Sequence, residues 1–199
     1  MAAELATAAR DELGAAVRAL VDTVAGTAAD PEQLSDATAA IRAIEAQLAA
    51  AGQRPSFIDN PFHQASLVGG TAHPFGPQVV FEQRAGEVVG TATLGRGFEG
   101  GPDLSHGGIL ALIFDHAMGA AMYLAGHAAM TRTLDVRYCA PTRLALPLEV
   151  VARVNRVEGR RVVVTAEITQ SAVTTAEAEA VFVQLTDENV ARIFAGSGG

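Results

Sequence analysis

The sequence predicts an α+β fold in which a curved antiparallel sheet wraps around one long helix, preceded by a helical extension. One apolar segment of helical length stands among segments whose apolar and polar residues alternate with period two. Short, turn-like connections link most of these alternating segments, which favours antiparallel pairing. The 199 residues suffice for one such domain with an appendage.

Composition and charge exclude several classes of protein. An apolar fraction of 49% with 18% charged residues excludes a disordered chain. The 14 basic and 22 acidic residues give a net charge of −8, which argues against nucleic acid as a partner. The single Cys139 excludes an internal disulfide and a thiolate-rich zinc site. The first residues lack the basic region of a secretory signal, so we expect a soluble, cytoplasmic protein with no membrane partner.

Residues 1–54 are predicted to form the helical extension, with two amphipathic helices. The first ends near Gly26. The second begins at Asp30-Pro31-Glu32-Gln33, which combines an N-cap, a proline at the first helical position and a capping-box glutamine, and it ends at Gly52. Residues 55–78, rich in proline and glycine, are predicted to form a loop or a strap across the domain.

Residues 79–190 are predicted to form the main domain, and residues 191–199 a flexible tail. A glycine-rich loop, Gly95 to Ser105, precedes the apolar helix Gly107–Leu124. The period-two segments predict strands at Val79–Gln83, Glu87–Leu94, Thr131–Tyr138, Leu148–Val157, Arg161–Thr169 and Ala176–Leu185.

The glycine-rich loop contains Gly95-Arg96-Gly97-Phe98-Glu99-Gly100, which matches the GxGxxG pattern of dinucleotide-binding folds. In those folds the glycines open a helix directly, within repeated βα units. Here Pro102 and further loop residues intervene, and no repeated βα units follow. We therefore do not expect a nucleotide cofactor.

Asp115 lies in the middle of the apolar helix. Burying an unpaired carboxylate costs several kcal/mol. No basic residue lies between Arg96 and Arg132, so no neighbour on the helix can pair with it. Asp115 is therefore either at an exposed edge of the helix, or held by backbone hydrogen bonds, or a functional carboxylate.

The start of the same helix is a candidate anion site. Ser105 is the expected N-cap, and Gly107 and Gly108 leave the first-turn N–H groups open to close approach by a ligand. Free amides at a helix N-terminus suit the oxyanion that develops during acyl transfer. His106 and Asp115 lie about two and a half turns apart, so serving one reaction requires a second subunit.

Several strings of residues carry a family resemblance. They are His106-Gly107-Gly108, Leu112-Ile113-Phe114-Asp115-His116-Ala117-Met118-Gly119, Thr131 to Pro141, the Val154–Arg161 hairpin and Ala176 to Val183. Together they resemble the hotdog-fold acyl-CoA thioesterases, in the phenylacetate-degradation branch of the 4-hydroxybenzoyl-CoA thioesterase superfamily. The resemblance covers about residues 79–186.

The resemblance implies a role for each residue of the site. Asp115 would be the catalytic carboxylate, as general base on water or as nucleophile. The Gly107 N–H would donate to the oxyanion, Gly108 would lie against the substrate, and His106 would orient the thioester carbonyl. Thr131, contributed by the partner subunit, would position the water. No cofactor and no metal are implied, and the protein would be a homodimer or a dimer of dimers.

Positive charge is concentrated in residues 131–161, which hold 7 Arg and 3 acidic residues, whereas residues 1–50 hold 3 Arg and 8 acidic residues. One explanation is a solvated strand face. The other is a surface that binds the phosphates of CoA, with Arg137, Arg143, Arg160 and Arg161 as contributors.

Two functions follow. The first is hydrolysis of fatty or aryl acyl-CoA to free acid and CoA. The alternative is a non-catalytic hotdog module that binds acyl-CoA or another apolar ligand, since fold does not fix function. Asp115 discriminates between them, because a protein that only binds does not need a carboxylate in its apolar helix.

Overall fold

The computed structural model describes residues 2–52, 62–63 and 65–186 of the chain. A 3-10 turn spans Arg96–Phe98. The helices are α1 (Ala2–Gly26), α2 (Pro31–Ala50) and α3 (Gly107–Leu124). The strands are β1 (Val80–Arg84), β2 (Glu87–Thr93), β3 (Glu99–Gly101), β4 (Leu104–Ser105), β5 (Ala129–Tyr138), β6 (Pro147–Glu158), β7 (Arg161–Gln170) and β8 (Val173–Gln184).

Six strands form one antiparallel sheet in the order β1-β2-β6-β7-β8-β5, and β3 pairs with β4 in a short separate hairpin. The register shifts within the β5–β8, β6–β7 and β7–β8 pairs. Such irregularities increase the local twist and bend a sheet. The helix α3 packs on one face of this sheet, which confirms the α+β prediction.

The core lies between α3 and the sheet. Side chains of α3 such as Ile113, Phe114 and Met118 are fully buried. They face the buried residues of the strands, which include Val150, Ala152, Val162, Val164, Ile168, Ala176, Ala180 and Phe182. By length and composition α3 is also apolar enough to cross a membrane, but here it is the core helix of the sheet.

One stripe of α3 is not covered by the residues that the structure describes. Leu112, Asp115 and Gly119 are only half-buried, and Tyr123 is 49% exposed. The sheet therefore buries one side of α3 and leaves this stripe half-buried or exposed. The uncovered stripe carries the carboxylate.

The predicted boundaries of α3 agree with the structure, and the six main strands lie within three residues of their predicted limits. Two details differ. The predicted loop from Gly95 to Ser105 contains the 3-10 turn and the β3–β4 hairpin. The N-cap of α3 is His106, not Ser105, because Ser105 is the last residue of β4 and the His106 ring accepts the Gly108 N–H at 3.0 Å.

The two N-terminal helices differ in how they meet the domain. The predicted capping box of α2 is present, and Gly52 follows its C-cap with a φ of +78°. No residue of α2 is buried, whereas α1 contacts the 3-10 turn. Of the predicted strap, residues 55–61 and Gln64 lie outside the described residues, as does the predicted tail, 191–199.

Candidate active site

Asp115 forms the first half of the site together with Thr131. The Thr131 hydroxyl donates a hydrogen bond to Asp115 Oδ1 at 2.8 Å. The chain turns after α3, and β5 runs back along the helix. This brings together Asp115 and Thr131, which are 16 positions apart in the sequence. Thr131 lies beside the register shift in β5. Within the described residues Asp115 has no ion pair, so this hydroxyl offsets part of the cost of partly burying the carboxylate.

The expected source of Thr131 is wrong in one respect. The resemblance placed Thr131 in the partner subunit, but the structure places it against Asp115 of the same chain. The physical reason is the short connection between α3 and β5, which leaves β5 beside its own helix. We call Asp115 and Thr131 the carboxylate half-site.

His106 begins the second half of the site. Its Nδ1 accepts the Gly108 N–H at 3.0 Å, and its backbone N–H donates to the Phe98 carbonyl at 2.8 Å. A neutral ring that accepts at Nδ1 carries its proton on Nε2, so Nε2–H remains available as a donor. Gly100 permits this placement, because a Cβ there would lie 2.5 Å from His106 Cα.

Gly107 is the first residue of α3, so its N–H has no acceptor within the helix. The Tyr138 hydroxyl donates to the Gly107 carbonyl at 2.9 Å. The Tyr138 ring would lie 3.0 to 3.2 Å from a Cβ at Gly107, so a larger residue there would displace the ring. We call His106, Gly107 and Gly108 the amide half-site.

Sequence reasoning gave Tyr138 no role of its own. It lies 31 positions from Gly107, and a tyrosine at the end of a strand has no local signal that predicts its contact. The helix dipole adds partial positive charge at the amide half-site, where an oxyanion would be stabilised.

One chain does not bring the two half-sites together. Gly107 and Asp115 are eight residues apart on α3, which is about 12 Å at the rise of an α-helix. A thioester carbonyl in contact with the Gly107 N–H is therefore out of reach of Asp115 in the same chain. The sequence prediction that one helix cannot serve both roles agrees with this geometry.

Aromatic side chains lie beside the carboxylate half-site. The Phe81 ring packs on His116, the neighbour of Asp115, with ring centroids 5.2 Å apart, and Phe62 packs edge-on against Phe81 at 6.5 Å. The buried Ser66 hydroxyl lies 3.5 Å from His116 Nε2. The described part of the strap thus covers the helix next to Asp115.

The four arginines expected to bind phosphate do not form one surface in one chain. Arg137 pairs with Glu177 across β5 and β8. Arg143 follows β5, where its backbone is held by Gln170 at the end of β7. Arg160 and Arg161 are at the start of β7, about 30 Å from Gln170 for a strand of ten residues. Within one chain these arginines therefore form two separate groups, because the hairpin and the end of β5 lie at opposite ends of the sheet.

Comparison with known proteins identifies the fold and a related domain. Residues 104–177 match the family model of the thioesterase superfamily. The chain is 36% identical over 90 residues to acyl-coenzyme A thioesterase THEM4 of Xenopus laevis. The aligned residues make up 44% of this chain. The chain spans 40% of the length of that curated relative.

Solved structures extend the similarity beyond the matched domain. The crystal structure of protein RHA08564, a thioesterase superfamily protein, is 28% identical, with a TM-score of 0.79 over 88% of this chain and 90% of that one. A hypothetical thioesterase of Streptococcus pneumoniae, solved with coenzyme A, is 19% identical, with a TM-score of 0.51 over 53% of this chain and 87% of that one. These likenesses confirm the hotdog fold.

The Streptococcus pneumoniae protein has also been solved as two variants. In one an aspartate, and in the other a threonine, is replaced by alanine.

Proposed function

We propose that this protein hydrolyses acyl-CoA thioesters and acts as a homodimer whose two active sites each combine half-sites from both copies. The range that matches the thioesterase superfamily contains every residue of the carboxylate and amide half-sites. The relative from Xenopus laevis carries the name of an acyl-coenzyme A thioesterase, and the Streptococcus pneumoniae relative binds coenzyme A. These similarities support the class of reaction and the class of substrate.

The observation that carries the proposal is the position of β5, which contacts both half-sites. Near its start Thr131 is bonded to Asp115, and at its end Tyr138 is bonded to Gly107. Antiparallel pairing of β5 with β5 of a second copy places the start of each strand beside the end of the other. The carboxylate half-site of one copy then faces the amide half-site of its partner, twice per dimer.

The strand β5 is suited to such pairing. Within the part of the chain that the structure describes, it pairs only with β8 and forms one edge of the sheet. Ten residues of unpaired edge offer N–H and C=O groups to a second strand. Met130 and Tyr138 on this strand are 51% and 54% exposed, which a partner strand would cover.

The proposed chemistry requires one carboxylate, one set of donors and one water. The Gly107 N–H and the Nε2–H of His106 from one copy bind the thioester oxygen. Asp115 of the other copy takes a proton from water, whose oxygen attacks the carbonyl carbon. The tetrahedral oxyanion then collapses, the C–S bond breaks, and the departing thiolate takes the proton from Asp115.

A second route uses the same residues. The Asp115 carboxylate attacks the carbonyl carbon itself, expels the thiolate and forms an anhydride that water then cleaves. A single turnover in ¹⁸O-labelled water identifies the anhydride route if label enters Asp115, because the direct route places label only in the product acid. Attack of water on the Asp115 carbonyl of the anhydride places it in the protein instead.

The same pairing unites the four arginines. The end of β5 that leads to Arg137 and Arg143 in one copy comes beside the sheet end that carries Arg160 and Arg161 in its partner. CoA carries its phosphates at the far end of the molecule from the thioester, and guanidinium groups bind phosphate with two parallel hydrogen bonds. We propose these residues as the phosphate contacts.

The two variants of the Streptococcus pneumoniae protein support the carboxylate half-site. The replaced aspartate and threonine lie 16 positions apart in that protein, the same separation as Asp115 and Thr131 here.

We propose that the acyl group is fatty or aryl and that the chain belongs to the phenylacetate-degradation branch, on the strength of the residue strings around α3.

The proposal is tested with purified protein, a panel of short-chain, long-chain and aryl acyl-CoAs, and a dye that reacts with free thiol. We expect release of CoA from at least one member of the panel. Binding of acyl-CoA without release of CoA from any member would contradict the proposal and favour the non-catalytic module.

A further inference from the structure

Polar side chains of α1 bind both the strap and the main domain. Asp11 accepts the Thr71 hydroxyl at 2.7 Å. Arg18 donates to the Thr71 and His73 carbonyls at 2.9 and 2.6 Å. Asp22 accepts the Gly97 N–H at 2.8 Å. The first two side chains bind the strap, whereas Asp22 binds the 3-10 turn that precedes the amide half-site.

Asp22 supplies a cap that the turn itself lacks. The residue at the N-cap position of the turn is Gly95, which has no side chain and forms no side-chain cap. The first N–H groups of a helical turn need an acceptor from elsewhere. Asp22, 75 positions away in the sequence, provides it for Gly97. This is the geometry of an N-cap, but the carboxylate comes from another helix.

The glycines of the Gly95–Gly100 string have steric roles in this contact. A Cβ on Gly95 would lie 2.1 Å from the Asp22 carboxylate, and one on Gly97 would lie 2.8 Å from Val21. A Cβ on Gly100 would lie 2.5 Å from His106 Cα. Gly95 and Gly97 therefore leave room for α1, and Gly100 leaves room for His106. The pattern that resembled a dinucleotide loop is explained by close packing.

The turn that Asp22 caps also holds His106. Phe98, the residue after Gly97, accepts the His106 N–H on its carbonyl at 2.8 Å. His106 in turn caps α3 through the Gly108 N–H. The Asp22 carboxylate is therefore connected to His106 through two hydrogen bonds and the backbone between the Gly97 N–H and the Phe98 carbonyl. His106 is the residue that orients the thioester carbonyl in the proposed reaction.

We propose that Asp22 is a positioning residue for thioester hydrolysis, which fixes the Arg96–Phe98 turn and through it His106 and the start of α3. The inference rests on the proposed function, because it assigns the N-terminal helix a part in that reaction. It predicts that loss of the Asp22 cap affects the chemical step more than the binding of the substrate.

The test compares three variants for kcat and KM on the acyl-CoA that wild type hydrolyses fastest. We expect Asp22→Ala to lower kcat about fivefold, the scale of a lost N-cap, with KM within about twofold. Asp22→Asn retains an oxygen that accepts the Gly97 N–H, so we expect kcat within about twofold of wild type. The matched control Asp11→Ala removes another hydrogen bond of α1 without touching the turn, and we expect it to leave kcat unchanged.

Two results would overturn the proposal. One is an unchanged kcat in Asp22→Ala. The other is an equal loss in Asp11→Ala, which would mean that docking of α1 as a whole, not the cap, matters. Gly95→Ala disturbs the same contact from the opposite side, and we expect it to lower kcat in the wild-type background but not in Asp22→Ala.

A readout independent of activity separates this proposal from the proposed function. Hydrogen exchange at the His106 amide reports directly on its bond to Phe98. We expect exchange to be about fivefold faster in Asp22→Ala than in Asp11→Ala, as a cap of this strength predicts. If wild type hydrolyses no acyl-CoA, the proposed function fails, and equal exchange in the two variants would refute the positioning role on its own.

Discussion

The helices α3 and α1 are held to the same sheet domain by different forces. Buried apolar side chains such as Ile113 and Phe114 fix α3, and they have no exposed surface. Hydrogen bonds from Asp11, Arg18 and Asp22 fix α1, whose large apolar residues Leu5 and Val24 remain 66% and 55% exposed. The first kind of contact is strong and insensitive to salt or pH, and the second is weaker and sensitive to both.

The difference matches what each helix contributes. Both half-sites lie on or beside α3, so its placement determines whether the reaction is possible. In the described part of the chain, the contacts of α1 reach the amide half-site through the Arg96–Phe98 turn, so they refine a geometry that α3 has already set. We therefore expect large effects from changes on α3, smaller ones from β5, and the smallest from the contacts of α1.

The largest expected effect comes from Asp115→Asn. The amide keeps the size of the side chain but accepts no proton from water and is a poor nucleophile, so we expect kcat/KM to fall at least about 10²-fold. Asp135→Asn, on the same strand as Thr131 but not bonded to Asp115, is the matched control and is expected to retain the wild-type rate. An active Asp115→Asn variant would remove Asp115 from the reaction.

Thr131→Ala is expected to have the next largest effect. It removes the hydroxyl that donates to Asp115 Oδ1, and a hydrogen bond to a charged group corresponds to a loss of about tenfold in rate. Thr131→Ser keeps the hydroxyl and is expected to recover most of the activity. Equal rates for the alanine and serine variants would show that the hydroxyl has no part in the reaction.

Local sequence patterns predict the helix limits better than the caps that depend on distant contacts. The limits of α3 follow from an apolar run between a glycine-rich segment and Gly126, and the capping box of α2 is a local pattern. The expected N-cap of α3 is wrong, because serine is a common N-cap, whereas Ser105 lies in β4 and the His106 ring accepts the Gly108 N–H instead.

Contacts across the chain could not be predicted in the same way. Arg18 and Asp22 meet partners 53 to 75 positions away, and no local pattern marks such pairs. The position of Arg160 relative to Arg143 depends on which ends of the strands meet, and a count of charges does not contain that information. The spacing of His106 and Asp115 predicts that one helix carries two separate half-sites. The contacts of β5 with both half-sites follow only from the three-dimensional fold.

The smallest expected effect is a pH dependence in the docking of α1. Burial, and then the charge of Arg18, lower the pKa of His73 below its ordinary value. Its Nδ1 accepts the Phe75 and Gly76 N–H groups at 3.2 Å each, and its carbonyl accepts Arg18. The unfolded chain therefore binds a proton at a higher pH than the folded chain, and stability falls as the pH drops below about 6.5 toward the folded-state pKa.

We expect the melting temperature to fall by no more than about 4 °C between pH 7.5 and 5.5 through this group. In His73→Gln, which cannot gain a proton, this part of the pH dependence should disappear. His127 follows the C-terminal end of α3, away from the contacts of α1. His127→Gln is therefore the control, and it should keep the pH dependence that His73 causes. Thermal unfolding at the two pH values decides, and an unaltered pH dependence in His73→Gln would exclude His73 as its source.

The shared active site is tested most directly by mixing two inactive variants. Asp115→Asn lacks the carboxylate. Gly107→Pro lacks the N–H and displaces the Tyr138 ring of the same chain, both within the half-site that it inactivates, while proline remains acceptable at the first position of a helix. If each site joins Asp115 of one copy to Gly107 of the other, a mixed dimer contains one intact site. After exchange of subunits, random pairing predicts recovery of about a quarter of the wild-type activity. No recovery, with mixed dimers shown to form, would contradict a site built from two copies.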